Sequence, residues 1–240
     1  MKKLLLVFFL FCIPIFSFGE NLELNSNMTQ SQFKSMAKEL GVAISFNPMS
    51  PAEPLGVLGF DISTEVVVTD INSSKQKWKL AFEDGDTLPA LTMTRVHVQK
   101  GLPFNIDVGA MFGGAPSTNI RVWGLELKYA ILEGSAVSPA VSVRTTFSKM
   151  ENVNDLDAYT YSGELLISKG ILFLTPYAGV TILRANADED SKNVDLEDVH
   201  ETIFRGVLGL QATPFPLVKI NLESSFGEVN QYSISVGVRF

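Results

Sequence analysis

Two histidines, one cysteine and a run of acids are the residues of this chain with the means to do chemistry. Hydrolysis and acyl transfer need a histidine close to a carboxylate or a serine. His97 sits in T-M-T-R-V-H-V-Q and His200 in D-L-E-D-V-H-E-T. The strand pattern set out below puts them at opposite ends of their strands, roughly 25 Å apart across a membrane-sized barrel, so they cannot share a site. His200 has Glu197, Asp198 and Glu201 beside it, but acids are plentiful in that loop. The acids Asp188-Glu189-Asp190 with Asp195, Glu197 and Asp198 offer oxygens to a divalent cation. Lys192 and Asn193, however, stand where a calcium loop needs a ligand and a glycine. The expectation is a solvated acidic loop. No catalytic, metal or cofactor residue is assigned, and the chain is read as a non-enzyme.

Cys12, the single cysteine, lies in a segment expected to be removed. Lys2 and Lys3 precede the apolar run 4–16, and Ser17-Phe18-Gly19 puts small residues at the −3 and −1 positions. That is the pattern of a secretory signal over 1–19, cut before Glu20. The apolar run is too short for a spanning helix, which needs about 20 residues. Phe11 before Cys12 argues against lipidation. The exported chain then has no thiol and no disulfide framework. Loss of the two lysines leaves 17 bases against 26 acids, a net charge of −9, which excludes nucleic acid as a natural partner.

Beyond the signal no long apolar run remains, yet 46% of the chain is hydrophobic. Strands must carry those residues, and closed barrels, like helices, satisfy every backbone group in lipid. Residues 20–54 form a separate N-terminal segment, periplasmic or plug-like. In it Phe33, Met36, Ala37 and Leu40 have helical spacing over 29–40, with Gly41 as a C-cap. This short amphipathic helix packs under a barrel, enters its lumen or lies on a membrane; capping the periplasmic mouth is the plainest of these. Residues 42–46 read as a short strand, and Pro48, Pro51 and Pro54 interrupt regular structure.

Residues 55–240 hold about ten strand candidates, with eight or twelve as alternatives. The alternation is clear in Phe104, Ile106, Val108, Ala110 and Phe112 against Asn105, Asp107 and Gly109. Longer and tighter connections alternate, as they do between the two sides of an outer-membrane barrel. The final stretch, Q-Y-S-I-S-V-G-V-R-F, puts Tyr232, Ile234, Val236, Val238 and Phe240 on one face.

That closing strand and the preceding alternation resemble the small bacterial outer-membrane β-barrels, broadly the OmpA- and OmpW-like kind. Ser235 stands where many closing strands of that class have glycine. The resemblance implies an all-β, closed antiparallel up-and-down transmembrane barrel with a short N-terminal helix, in the outer membrane of a Gram-negative cell. It implies partners too: outer-membrane lipid, lipopolysaccharide, and the barrel assembly machinery reading the five apolar residues of 231–240. Lys75, Lys77, Trp78 and Lys79 are candidates for lipopolysaccharide phosphates, or are ordinary loop charge. Nine aromatics near strand ends, Phe104, Phe112, Trp123, Tyr129, Phe147, Tyr159, Phe226, Tyr232 and Phe240, suit two interfacial girdles.

The polar face carries Asp61, Glu65, Arg95, Asp107, Glu126, Lys128, Arg144, Glu164, Arg205, Lys219, Glu223 and Arg239, six acids and six bases. Balanced charge suits a lumen crossed by salt bridges, because charges taken out of water need partners. A barrel of this size is ordinarily filled by its own side chains. Two functions stay open: a narrow channel for small solutes, or a closed-lumen structural or surface-interaction barrel. A barrel hydrolase and a soluble periplasmic β-protein are the outside alternatives.

Overall fold

The computed structural model describes residues 22, 24–71, 77–78, 80–81, 90–116, 118–191 and 194–240; the expected signal segment 1–19, and Lys75 and Lys79, lie outside them. Among the described residues, the helix α1 (Gln30–Ile44) precedes ten strands: β1 (Phe60–Asp70), β2 (Ala90–Leu102), β3 (Ile106–Gly114), β4 (Arg121–Glu133), β5 (Ala140–Glu151), β6 (Leu156–Ser168), β7 (Leu174–Glu189), β8 (Val199–Phe215), β9 (Val218–Gly227) and β10 (Gln231–Arg239). Every strand pairs antiparallel with its sequence neighbours, and β10 closes on β1 to make a barrel. The seam runs from Asp61 opposite Arg239 to Thr69 opposite Gln231. Ten strands without an edge replace the eight- and twelve-strand alternatives, because residues 42–46 do not pair: they finish the helix and begin an irregular stretch.

Period two sorts the side chains. In β4, Leu125, Leu127 and Tyr129 are exposed, while Gly124, Glu126 and Lys128 between them are buried. In β10, Tyr232, Ile234 and Val236 point out and Ser233, Ser235 and Gly237 point in. The apolar face is therefore the outer one, which reverses a soluble barrel and is the arrangement lipid requires. On its outer face Trp123, Phe147 and Tyr159 form a chain of rings with centroids 5.5 and 6.4 Å apart.

Residues 71–89, 115–120, 152–155, 190–198 and 228–230 join strands at one mouth, the loop end. Residues 103–105, 134–139, 169–173 and 216–217 join them at the other, the turn end. Lys100 and Gly101 continue β2, and the turn is Pro103-Phe104-Asn105, with Phe104 and Asn105 both at positive φ. The polar stretch at 149–157 is largely strand, since β5 and β6 continue past the apolar belt.

The lumen is filled by the chain's own N-terminal segment rather than by wall side chains alone. Leu22 N–H donates to Asn119 and Leu24 N–H to Asp155, both at the loop end. From there α1 descends inside the barrel. Residues 45–55 continue as irregular chain to the turn end, where Gly101 N–H donates to Gly59 O and the chain enters β1. The expected placement of the helix at the periplasmic mouth gives way to this one because the loop end of the lumen is apolar. Leu91, Met93, Met111, Val122, Met150 and Ala158 face inward there and enclose Phe33, Met36, Leu40 and Ile44, all at most 3% exposed.

Candidate functional site: the occupied lumen

The helix begins at a capping box: Gln32 N–H donates to Thr29 Oγ1, and Thr29 N–H to Gln32 Oε1. Two donors that the first turn would leave unpaired are thereby satisfied. Gly41 is not the C-cap; the helix runs on to Ile44 and Ser45 caps it. A Cβ at Gly41 would lie 2.4 Å from Ala185 Cβ, so glycine is there because the helix backbone rests directly on β7. Over the helix, Trp78 is wholly buried and donates to Glu39 (2.7 Å), and Lys77 contacts Ser35 and Glu39. Lys77 and Trp78 thus turn inward onto the helix rather than outward as a phosphate-facing rim. Lys34 and Lys38 pair with Glu201 on β8, and Lys38 also with Glu228.

Below the helix the lumen turns polar, and it is there that the twelve charges lie. Eleven are buried, and Arg239 is partly exposed. Lys219 and Arg239 pair with Asp61 at 2.6 and 3.0 Å, Lys128 with Asp107 at 3.0 Å, and Arg144 with Glu126 and, at 2.7 Å, Glu164. His97 bridges Glu65 (2.8 Å) and Glu126 (3.0 Å). Both of its ring nitrogens are taken by carboxylates, so neither faces a nucleophile. His200 is exposed at the loop end, with Nδ1 3.0 Å from Asn186.

Arg95, Arg205 and Glu223 pair differently. They reach the N-terminal segment and not an opposite charge. Arg95 donates to Ser45 O (2.7 Å) and to Ala43 O, while Gln231 donates to Val42 O (2.9 Å). These carbonyls cluster at the negative end of the helix, so the Arg95 cation there is favoured by the dipole as well. Arg205 donates to Ser45 Oγ (3.3 Å) and to Ser225 and Gln231. Glu223 accepts from Met49 N–H (2.9 Å) and from Tyr177 O–H (2.8 Å).

The same wall holds the irregular stretch 46–55 by its backbone. Arg144 donates to Phe46 O and Asn47 O (2.9 and 3.0 Å), and Lys128 to Pro51 O and Glu53 O (3.3 and 3.1 Å). Ser168 accepts from Ala52 N–H and Asp107 from Leu55 N–H. A proline-broken segment has no ladder of its own, so its buried amide groups need these side chains. Phe46 is gripped by its ring as well, edge to face with His97 (4.7 Å between centroids) and under the Arg144 guanidinium (4.8 Å). A void of about 10 Å³ between Ser45–Pro48 and Glu164, Arg205 and Glu223 is room for one water at most. No group of three or more metal-ligating side chains occurs among the described residues.

Sequence reasoning listed the charges and the helix but not their meeting. The signal present was the change in the inward face, from Asp, Glu, Lys and Arg near the turn end to Met, Leu and Ala near the loop end.

No family model matches the chain, and no curated protein does. Among solved structures it is similar to Ail of Yersinia pestis in complex with the heparin analogue sucrose octasulfate, at 14% identity over 76% of this chain and 98% of that one, TM-score 0.36. It is similar also to the KdgM porin, at 9% identity over 75% and 99%, TM-score 0.39. A loop-deleted OmpT, an outer membrane protein of Vibrio cholerae, follows at 12% identity over 63% and 54%, TM-score 0.34. At such identities and scores these likenesses say nothing of function, which rests on this chain's own side chains.

Proposed function

We propose that the chain is an integral outer-membrane barrel with a sealed lumen, acting through the surface at its loop end rather than by passing solutes. One observation carries this reading: residues 22–59 occupy the lumen from mouth to mouth, matched to it chemically in both layers. Apolar side chains of α1 fill the apolar layer, and backbone groups of 45–55 pair with the polar layer. Each fully buried helix side chain such as Phe33 or Leu40 is worth about 1.5–3 kcal/mol, so expelling the helix costs far more than thermal energy supplies. In this reading the loop end faces the cell exterior. The C-terminal strand through Phe240 is the segment read by the assembly machinery, and outer-membrane lipid, with lipopolysaccharide at the outer rim, surrounds the belt. No catalytic role is assigned to either histidine.

Planar-bilayer recording tests the reading. The full chain is expected to show no single-channel steps. Discrete steps from the full chain would replace this reading with that of a narrow solute channel. A variant carrying Leu40→Lys, which puts a charge into the apolar layer, is the comparison expected to leak if it folds.

A further inference from the structure

The two ends of the barrel differ in a way the lumen does not explain. Large apolar side chains stand exposed at the turn end, on its connections and the strand ends beside them: Leu58 at 91%, Phe104 at 85%, Val137 at 91%, Leu172 at 97% and Phe215 at 67%. Among the described residues, no large apolar side chain of the loop-end connections is exposed to that extent. The tips occur on successive turns around the whole circumference, so they form a ring and not a patch.

Backbone conformation shows that the side chains themselves are wanted. Phe104 (φ 66°), Leu172 (φ 55°) and Leu217 (φ 71°) occupy the left-handed region that glycine or asparagine fills at less cost. Several backbone groups of these turns are also paired within the chain. Ile171 and Leu174 exchange both bonds, Thr213 N–H donates to Phe173 O, and Arg239 N–H donates to Leu217 O. Lys100 Nζ donates to Val57 O (2.6 Å) and Gly59 O, and Lys169 Nζ to Ser135 O and Ser138 O.

We infer that the turn end is seated in the phospholipid layer, with this ring of tips at the glycerol–acyl boundary. The ring is continuous with the lipid-facing belt, as where Phe215 follows Leu208 and Leu210 on the outside of β8. Interior satisfaction of turn carbonyls is what a water-poor layer demands. Lys100 and Lys169 place ammonium groups at the same level, where phosphates lie. The barrel therefore sits low, with its polar loop end raised into water. This goes beyond the reading of the lumen and depends only on the belt being in lipid.

A Cys12→Ser chain has no cysteine, so single nitroxide labels can be placed at Leu58→Cys, Phe104→Cys and Leu172→Cys. Leu127→Cys reports the middle of the belt and Ser26→Cys the loop end. Each full chain is folded into phosphatidylcholine vesicles and checked for a heat-dependent gel shift. Collisions with oxygen and with a water-soluble nickel chelate are then compared. At the three tips the nickel contribution is expected several-fold below that at Ser26, with oxygen dominant as at Leu127. Nickel-dominated tips beside an oxygen-dominated Leu127 would overturn the inference and assign the ring to contact with another protein. A nickel-dominated Leu127 would overturn the membrane reading as well.

Discussion

Arg95 shows how a charge can be legible in a sequence while its purpose is not. Its place on the inward face of β2 follows from alternation, and the expected partner is a carboxylate. The structure gives it the carbonyls of Ala43 and Ser45. Arg95→Met keeps the volume of the stem and removes both donors. Two buried carbonyls are then left unpaired at about 1–3 kcal/mol each. The temperature at which the folded band disappears in a heat-modifiability gel should fall markedly, whereas Arg184→Met, whose guanidinium bonds Thr202 in a partly exposed position, should leave it almost unchanged. Equal shifts in the two variants would contradict this role.

The elements were legible to different depths. Outward faces read cleanly, because lipid keeps every second residue apolar and the period survives along the strand, as in Tyr232 to Val238. Inward faces read well only near the turn end. Toward the loop end Met111, Val122, Met150 and Ala185 are apolar and inward, so strands there look apolar on both sides and the period fades, most of all in β7. Nothing local says that such a stretch waits for a helix far away in sequence. The amphipathic face of α1 was likewise readable, but not that it enters the barrel. Gly41 looked like a helix stop and is instead a point of contact with Ala185. Two substitutions test the helix as a core element. Leu40→Ala should destabilise by about 2–5 kcal/mol, the usual cost of emptying such a site. Gly41→Val must push helix and β7 apart, so it should make α1 accessible to protease in otherwise folded barrels. Full protection in Gly41→Val would show that the helix does not rest there.

At the scale of the whole molecule, what could not be read was the direction of the first segment. Ten strands, their order and their closure follow from alternation and turns, and the seam follows from closure. The path before β1 does not, because it is fixed by contacts of long sequence separation: Leu24 with Asp155, Asn47 with Ser233, Leu55 with Asp107. Those contacts make the chain run through its own barrel, from the loop end down to the turn end, before it becomes wall. Residues on either side of this passage must then lie on opposite sides of the membrane. Asn25, Ser26 and Asn27 are exposed at the loop end, and Val57 and Leu58 at the turn end. A short epitope inserted after Ser26 should therefore bind antibody on intact cells. The same epitope after Val57 should bind only once the outer membrane has been permeabilised. Segments only about thirty residues apart on a water-soluble tail would respond alike. Equal access for both epitopes, in cells whose barrel still shows its heat-dependent gel shift, would mean that residues 22–59 lie outside the lumen. The reversed pattern would keep the passage and turn the whole barrel over, putting the loop end in the periplasm.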